Sequence, residues 1–262
     1  MTDAPTDPLA LFSVAGKAAI VTGASGAFGA MAAQTLASAR ARLVLAAGKA
    51  NELAAIAEAC RNRGAEVETI ASRPSSAAAC EAIVRQAVER FGRVDILVVA
   101  SGKNDVAKII DMSPERFLDV MDANVTQSWL MARAAGKQML AQGEGGKVIL
   151  MSSARGLLGH PAGYTADCAS KSAVDGVTRA PGCAGVTVNA IAPTVFRSPL
   201  TAWMFGEDEQ ARTTRAGFLA RVPRGRLGEP EDLAGPLLFL ASKASDFYTG
   251  HILCADGGYT AG

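Results

Sequence analysis

The sequence predicts one α/β domain built on a parallel β-sheet. Short, continuous apolar segments recur along the 262 residues, and longer segments of helical character separate them. Strands that are apolar throughout belong to a parallel sheet covered by helices on both faces. A glycine-rich turn between the first strand and the first helix is the third indication. The length suits one domain with a sizeable core, so we expect residues 1–262 to form a single unit.

Seven strands and five main helices are predicted. The predicted strands are 17–22, 42–46, 67–71, 96–100, 147–152, 186–192 and 251–255. The predicted helices are 30–39, 51–63, 76–91, 114–141 and 167–180. Residues 1–15 are expected to be a loose N-terminal arm. Residues 197–228 carry many charges and no clear strand, so they are interpreted either as a substrate lid or as a surface excursion.

Composition excludes several classes of protein. A net charge of +1 gives no attraction to nucleic acid or to an anionic membrane. No apolar segment approaches the ~18 residues of a membrane span, and no secretory signal is apparent. Two histidines are too few for a histidine-rich metal site. We therefore expect a cytoplasmic protein with reduced thiols. The cysteines are Cys60, Cys80, Cys168, Cys183 and Cys254.

The glycine-rich turn predicts a dinucleotide site. It lies between a strand and a helix, where glycines let the backbone approach a pyrophosphate and the helix start offers free N–H groups. A plain tight turn is the alternative interpretation. The residues predicted to contact the cofactor are Thr22, Gly23, Ser25, Gly26, Phe28 and Gly29.

Several further motifs together resemble the classical short-chain dehydrogenase/reductase family over about residues 12–262. They are MDANV around Asn124, Ser152-Ser153, CASK ending at Lys171, VNAIAP at 188–193, RLGEPEDLAG at 226–235 and ADGGY at 255–259. The resemblance implies a Rossmann-type, doubly wound, seven-stranded parallel sheet, a nicotinamide cofactor, a small-molecule substrate and self-association as a dimer or tetramer. It also assigns to the cofactor site Ala100, Gly102, Asn124, Lys171, Pro193 and Ser198.

The chain departs from the family pattern in the cofactor site. Ala27 replaces the middle glycine of the loop, with Gly26 one place early, and Thr194 replaces a glycine after the sixth strand. The motif after the fourth strand reads Val-Ala-Ser-Gly over 99–102, and Arg73 stands where an aspartate usually meets the adenine.

The choice between NAD and NADP depends on the end of the second strand. An acidic residue there would select NAD by accepting the ribose 2′-hydroxyl, and this chain has Ala47, Gly48 and Lys49 instead. Lys49 and Arg73 could attract a 2′-phosphate, which favours NADP slightly. Lys49 could equally be a solvated lysine at a helix start, and the glycine loop itself contains no basic residue.

The resemblance implies a catalytic set of Asn124, Ser153 and Lys171, with Ser152 as the fallback serine. Family members use a tyrosine four residues before the lysine to move the proton, and that position is Asp167. A carboxyl pKa lies near 4 and a phenol pKa near 10. Beside a cationic Lys171 we expect Asp167 to be ionised, to pair with the lysine and to be a poor acid or base. It could instead serve the start of the helix.

Two further features bear on activity. Tyr164 lies seven residues before Lys171, two helical turns, so it could replace the missing tyrosine or simply line the cleft. The helix ends at Ala180 before Pro181-Gly182, about one turn (~4 residues) earlier than is usual in the family. Because that helix normally packs between subunits, we expect a dimer, or a tetramer weaker than usual.

Two functional hypotheses remain open. The first is an NAD(P)-dependent oxidoreductase of secondary alcohols or ketones. Arg155, His160 and the segment Trp203–Phe205 resemble polyol or sugar-acid dehydrogenases such as gluconate 5-dehydrogenase-like members, with 3-oxoacyl substrates second. The alternative is a cofactor-binding pseudoenzyme that acts through binding or assembly.

Overall fold

The computed structural model describes residues 7–160, 162–180, 185–199 and 201–261. The seven strands form one parallel sheet in the order β3-β2-β1-β4-β5-β6-β7, which confirms the predicted fold class. Pro181, Gly182 and Cys183 lie outside the described residues. The strands are β1 Ala18–Thr22, β2 Arg42–Ala46, β3 Val67–Ile70, β4 Ile96–Val99, β5 Gly146–Met151, β6 Val186–Pro193 and β7 Ile252–Ala255.

Helices cover both faces of the sheet. They are α1 Ala27–Ser38, α2 Ala50–Arg61, α3 Ala77–Phe91, α4 Pro114–Met121, α5 Gln127–Ala141, α6 Thr165–Arg179, α7 Glu209–Leu219 and α8 Ala234–Ala241. Successive residues of β1 face opposite layers: Val21 packs with Leu36 of α1, and Ile20 packs with Ile83 of α3 and Met131 of α5. Both layers are apolar, which explains why the strand is apolar at every position.

The strand order reverses between β1 and β4, and this reversal positions the site. Thr22 is level with Ala46 of β2 and with Val99 of β4, so three carboxyl ends meet at the same edge. In open parallel sheets a ligand binds outside the carboxyl ends at such a switch point. The loops that leave β1, β2, β4, β5 and β6 therefore converge on one region.

The predicted helix over 114–141 is interrupted. A π-helical segment, Asp122–Thr126, separates α4 from α5. Such segments are often found at functional sites because they turn one residue out of the regular helical spacing. Asn124 lies in the middle of this segment and is buried.

Two segments in which the sequence predicts neither a strand nor a main helix contain short helices. Within the expected N-terminal arm, Pro8–Phe12 forms a 3₁₀-helix capped by the Asp7 side chain, and the Phe12 ring lies 6.4 Å from that of Phe239 on α8. Residues 197–228 contain a 3₁₀-helix, Ala202–Phe205, and α7. No helix in the described ranges is long and apolar enough to cross a membrane.

Candidate active site

The turn between β1 and α1 depends on two glycines. Gly23 has φ +65°, and a Cβ on it would lie 2.6 Å from the carbonyl carbon of Ala100. A Cβ on Gly29 would lie 2.6 Å from the carbonyl carbon of Gly23. Gly26 is the N-cap of α1 and no side chain caps that helix, which leaves its first N–H groups available. Ser25 is half-buried in the same turn.

The residues around this turn leave a cradle that suits a dinucleotide. Thr22 Oγ1 lies 3.2 Å from Ser101 Oγ, which joins the turn to the loop after β4. The Phe28 ring packs edge-on against Phe196, 5.8 Å away, which joins it to the loop after β6. Backbone approaches that exclude a Cβ, together with an uncapped helix start, are the features that a pyrophosphate requires. The residues present therefore fit the cofactor that the sequence implies.

The two basic residues near the end of β2 differ in their surroundings. Lys49 is the residue before α2, and its ammonium group forms an exposed ion pair with Glu52 at 2.8 Å. Arg73 lies against the β2 edge instead: a Cβ on Gly48 would be 2.6 Å from Arg73 Nε. Arg73 is thus the basic side chain that passes over the backbone where a ribose 2′-group is expected.

Asn124 holds the loop after β4 against α6. Its Oδ1 accepts a hydrogen bond from the Lys103 N–H at 2.8 Å, and its Nδ2 donates to the Lys103 carbonyl and to Ser170 Oγ, both at 2.9 Å. A Cβ on Gly102 would lie 2.9 Å from Asn124 Oδ1, so this glycine permits the close approach. Both ends of the Asn124 amide are therefore engaged by the protein.

The two consecutive serines after β5 have different environments. Ser152 is buried, and its hydroxyl donates to Oδ1 of Asp175 on α6. Ser153 lines a cleft that also contacts the start of α6, and its hydroxyl lies 3.3 Å from the Pro193 carbonyl at the end of β6. Of the two, Ser153 is the one that a substrate can reach.

Asp167 and Lys171 lie one turn apart on α6, but the predicted pairing between them is wrong. Lys171 Nζ donates to the Met151 carbonyl at 3.0 Å, and in the described part of the chain no ion pair joins it to Asp167. Burial raises the pKa of Asp167, and the nearby Lys171 and Arg155 charges only partly offset this. The lysine therefore does not favour the carboxylate overall, as was predicted from its charge, because the cost of desolvation outweighs its attraction.

Tyr164 is the N-cap residue of α6, and its ring is held between two side chains. The Arg155 guanidinium carbon lies 4.3 Å from the ring centroid, and the His160 ring packs edge-on at 4.9 Å. The phenol faces the same cleft as Asp167. This contact with Arg155 fixes Tyr164 on the cleft wall.

A cleft of about 540 Å³ brings these groups together. Its walls come from the loop after β5, the start of α6, the loop after β6 and the segment 197–228. The predicted site residues on its surface are Ser153, Tyr164 and Asp167. Lys171 and Asn124 lie behind this surface, and Lys49 lies apart at α2. Ser198 begins the segment 197–228, where its Oγ lies 2.9 Å from Thr201 Oγ1.

Sequence reasoning missed two residues of the cleft and one behind it. Arg221 and Tyr259 line it, and Asp175 is buried behind Ser152. Arg221 stands in RVPRGR, where the sequence alone does not distinguish the arginine that points inward from its neighbours. The i, i+4 spacing of Lys171 and Asp175 on α6 was the available signal for the third residue.

Comparison with known proteins identifies the family. The family model for enoyl-(acyl carrier protein) reductase matches residues 23–260. An uncharacterized oxidoreductase of Mycobacterium tuberculosis is 49% identical over 98% of this chain and 96% of its own length. The 2-dehydro-3-deoxy-D-gluconate 5-dehydrogenase of Escherichia coli is 34% identical over 97% of this chain and 99% of its own.

Solved structures agree with this identification. A short-chain type dehydrogenase/reductase from Mycobacterium marinum superposes with a TM-score of 0.86 at 32% identity, covering 97% of this chain and 99% of its own. A structure from Beutenbergia cavernae with bound NADP at low occupancy gives 0.87 at 32% identity, covering 96% and 100%. The chain belongs to the classical short-chain dehydrogenase/reductase family of NAD(P)-dependent oxidoreductases.

The raised pKa of Asp167 has a measurable consequence for stability. The folded state binds this proton more tightly than the unfolded state, so the parent loses stability as the pH rises from about 4, the ordinary carboxyl pKa, through the raised value. Asp167→Asn removes the buried charge. We expect its melting temperature to exceed that of the parent at pH 8, with a difference that shrinks as the pH falls towards 4.

Thermal unfolding across this pH range is the measurement. Asp111→Asn is the control, because Asp111 is exposed and makes no side-chain hydrogen bond within the described ranges. It should stay within about 0.5 kcal/mol of the parent at every pH. An Asp167→Asn variant less stable than the parent at pH 8 would show that the carboxylate is stabilised in the folded protein.

Proposed function

We propose that this chain catalyses hydride transfer between a nicotinamide dinucleotide and a secondary alcohol or ketone of the polyol, sugar-acid or 3-oxoacyl type, at a rate reduced by Asp167. The observation that carries the proposal is a single cleft whose wall includes both Ser153, after β5, and Asp167, in the first turn of α6. The name of the Escherichia coli relative, a sugar-acid dehydrogenase, supports the sugar-acid class.

The cofactor site proposed here combines the turn at 22–29 with loops at the same sheet edge. Gly26, Phe28 and Gly29 at the start of α1 would hold the pyrophosphate, and Lys171 would hold the nicotinamide ribose. Pro193 and Ser198 would border the nicotinamide, while Ala100 and Gly102 would border the adenosine side. When bound, the cofactor supplies or accepts the hydride.

The substrate oxygen needs a hydrogen-bond donor and a proton carrier. Ser153 would donate to that oxygen from the cleft wall. Asp167 stands where the family has its tyrosine, and a carboxyl group is a shorter and much stronger acid than a phenol, even with its pKa raised by burial. Burial favours the protonated, neutral form of this carboxyl group. Asn124 would support a proton relay by holding the backbone of Lys103 and the side-chain hydroxyl of Ser170 in place.

A cofactor-binding protein without turnover is the second candidate. One observation favours it: the Lys171 ammonium group donates to the Met151 carbonyl, and no phenol lies one turn before it on α6. Tyr164, the other phenol on the cleft, is held by Arg155 and His160. The turn at 22–29 is unaffected in this case, so binding would persist while hydride transfer would not.

Restoring the phenol tests the proposed chemistry. We expect Asp167→Tyr to raise turnover by about 10²–10⁴-fold, the contribution of a positioned acid–base group. Asp167→Phe is the matched control, because it has the same ring without the hydroxyl group and should stay as slow as the parent. The assay follows nicotinamide absorbance with polyols, sugar acids and small ketones.

Tyr164→Phe tests whether Tyr164 transfers the proton in place of residue 167. If the parent turns over and this change abolishes the activity, Tyr164 moves the proton. Equal rates in the parent, Asp167→Tyr and Asp167→Phe would contradict the role given to position 167. No turnover in any variant, with cofactor binding retained, would favour the second candidate.

The proposal includes a preference for NADP through Arg73. Arg73→Met should weaken NADPH binding about tenfold and leave NADH binding nearly unchanged. A charged hydrogen bond contributes roughly 1.5–3 kcal/mol, and because Arg73 is exposed we expect a contribution at the low end of this range. Lys49→Met is the control and should change neither affinity, because Lys49 is paired with Glu52. Fluorescence titration measures both constants. Equal affinities of the parent for NADH and NADPH would contradict the preference.

We also propose that the chain self-associates as a dimer, or as a tetramer weaker than usual. Supporting this, α4 and α5 leave Leu118 and Trp129 exposed by 63% and 49%. Light scattering should find dimers at micromolar concentration and no tetramer at nanomolar concentration. Leu118→Asp with Trp129→Asp should give monomers, whereas Phe247→Asp, at another exposed ring, should not. A monomer at every concentration, or a tetramer that persists on dilution, would contradict this.

A cytoplasmic location completes the proposal. The described cysteines Cys60, Cys80, Cys168 and Cys254 form no disulfide with one another. Burial raises the pKa of Cys60 and of Cys80 to about 11, so both remain protonated and unreactive at neutral pH. Thiols of this kind are typical of a reducing compartment.

A further inference from the structure

Two guanidinium groups line the substrate cleft without a carboxylate partner in the described part of the chain. Arg155 belongs to the short 3₁₀-helix after β5, and Arg221 follows α7. Neither lies within 4.0 Å of an acidic oxygen of the described residues, whereas Arg197, Arg212 and Arg215 of the neighbouring segment all do. An unpaired arginine in a concave site is expected to meet an anionic group of a ligand.

Each of these guanidinium groups is held by an aromatic ring rather than by a charge. Arg155 lies over Tyr164, with 4.3 Å from its Cζ to the ring centroid. Arg221 lies over Tyr259 at 4.4 Å and donates from Nη1 to the Tyr259 hydroxyl at 2.9 Å. Tyr259 is itself buried and stacked on Phe218. An arginine has five N–H donors, so this arrangement fixes both planes and leaves most donors free.

The charge balance of the cleft is positive. The titratable groups on its wall are Arg155, Arg221, His160, Tyr164, Tyr259 and Asp167. Burial lowers the pKa of His160, and Arg155 and Arg221 lower it further, so both guanidinium charges act on the same part of the cleft. His160 is then neutral at pH 7, and the single carboxyl, Asp167, does not pair with either arginine.

We propose that Arg155 and Arg221 bind a carboxylate group of the substrate, which makes the substrate a hydroxy- or oxo-carboxylate rather than a neutral polyol. This inference rests on the proposed function and assigns its substrate class. Ser153 lies two residues before Arg155, so the reacting oxygen and the carboxylate are served by the same loop. A cleft of about 540 Å³, with Trp203 and Met204 as apolar walls, suits a small acid with its carbon chain between the two sites.

Binding of matched acids and alcohols tests this without requiring turnover. Calorimetric titrations of the unaltered chain, with saturating NADP⁺ and constant ionic strength, compare gluconate with glucitol, glycerate with glycerol, and 3-hydroxybutyrate with butane-1,3-diol. At least one acid should bind more than about tenfold more tightly than its alcohol. Arg155→Met and Arg221→Met should each reduce that affinity about tenfold or more and leave the alcohol unaffected, because a charged hydrogen bond contributes roughly that much.

Two further variants distinguish the effect of the cleft charges on acid affinity from a general effect of the substitutions on the protein. Arg155→Lys retains the positive charge and should retain more of the affinity than Arg155→Met. Arg212→Met, on α7 but not on the cleft wall, should bind the acid as the parent does. In the Asp167→Tyr background, the arginine variants should raise KM for the acid much more than they lower kcat.

Several outcomes would overturn the assignment. One is that no acid binds more tightly than its matched alcohol. Another is that the affinity for the acid is unchanged in both Arg155→Met and Arg221→Met. An equal loss of acid affinity in Arg212→Met would also overturn it, because the affinity would then depend on the overall positive charge and not on the two cleft arginines. Failure of the proposed function has a different signature: acid binding that depends on Arg155 and Arg221, but no hydride transfer in the parent or in Asp167→Tyr.

Discussion

The close approach of Gly29 to Gly23 is the constraint on which the site depends. Without a side chain at either position, the chain can leave β1, turn within a few residues and start α1 against the turn itself. This turn presents the uncapped start of α1 at the carboxyl edge of the sheet, where β1, β2 and β4 end level with one another. The loops after β4 and β6 then pack on the same turn through Ser101 and Phe196.

One helix, α6, carries the consequences of the unusual residue in this chain. Asp167 faces the cleft, Ser170 accepts the bond from Asn124, and Lys171 and Asp175 point towards the end of β5. A carboxyl group at 167 leaves this framework in place because its neighbours bond to the backbone or to each other rather than to it. Aspartate at this position therefore changes proton transfer and the charge of the cleft more than it changes the arrangement of α6. Burying the carboxyl group is unfavourable, and this raises the pKa of Asp167.

The sequence was sufficient for the sheet and for the turn at 22–29, because both depend on local patterns. Apolar runs separated by helices define a parallel sheet, and glycines between a strand and a helix define the turn. The side-chain pairings could not be predicted in this way. The sequence predicts a pair between Lys171 and Asp167, but the Lys171 ammonium group instead donates to the Met151 carbonyl at the end of β5. Lys49 pairs with Glu52, and Arg221 enters the cleft, because loop and helix directions decide which of several basic residues face inward.

We propose that the cofactor site of this chain is intact although Asp167 replaces the tyrosine that moves the proton in the family. The most direct measurement is a fluorescence titration of the unaltered protein with NADPH and NADH, with Gly29→Ala as the comparison. We expect saturable binding by the parent and a loss of binding in Gly29→Ala, whose Cβ would overlap the backbone of Gly23. No binding of either nucleotide by the parent at millimolar concentration would contradict an intact dinucleotide site.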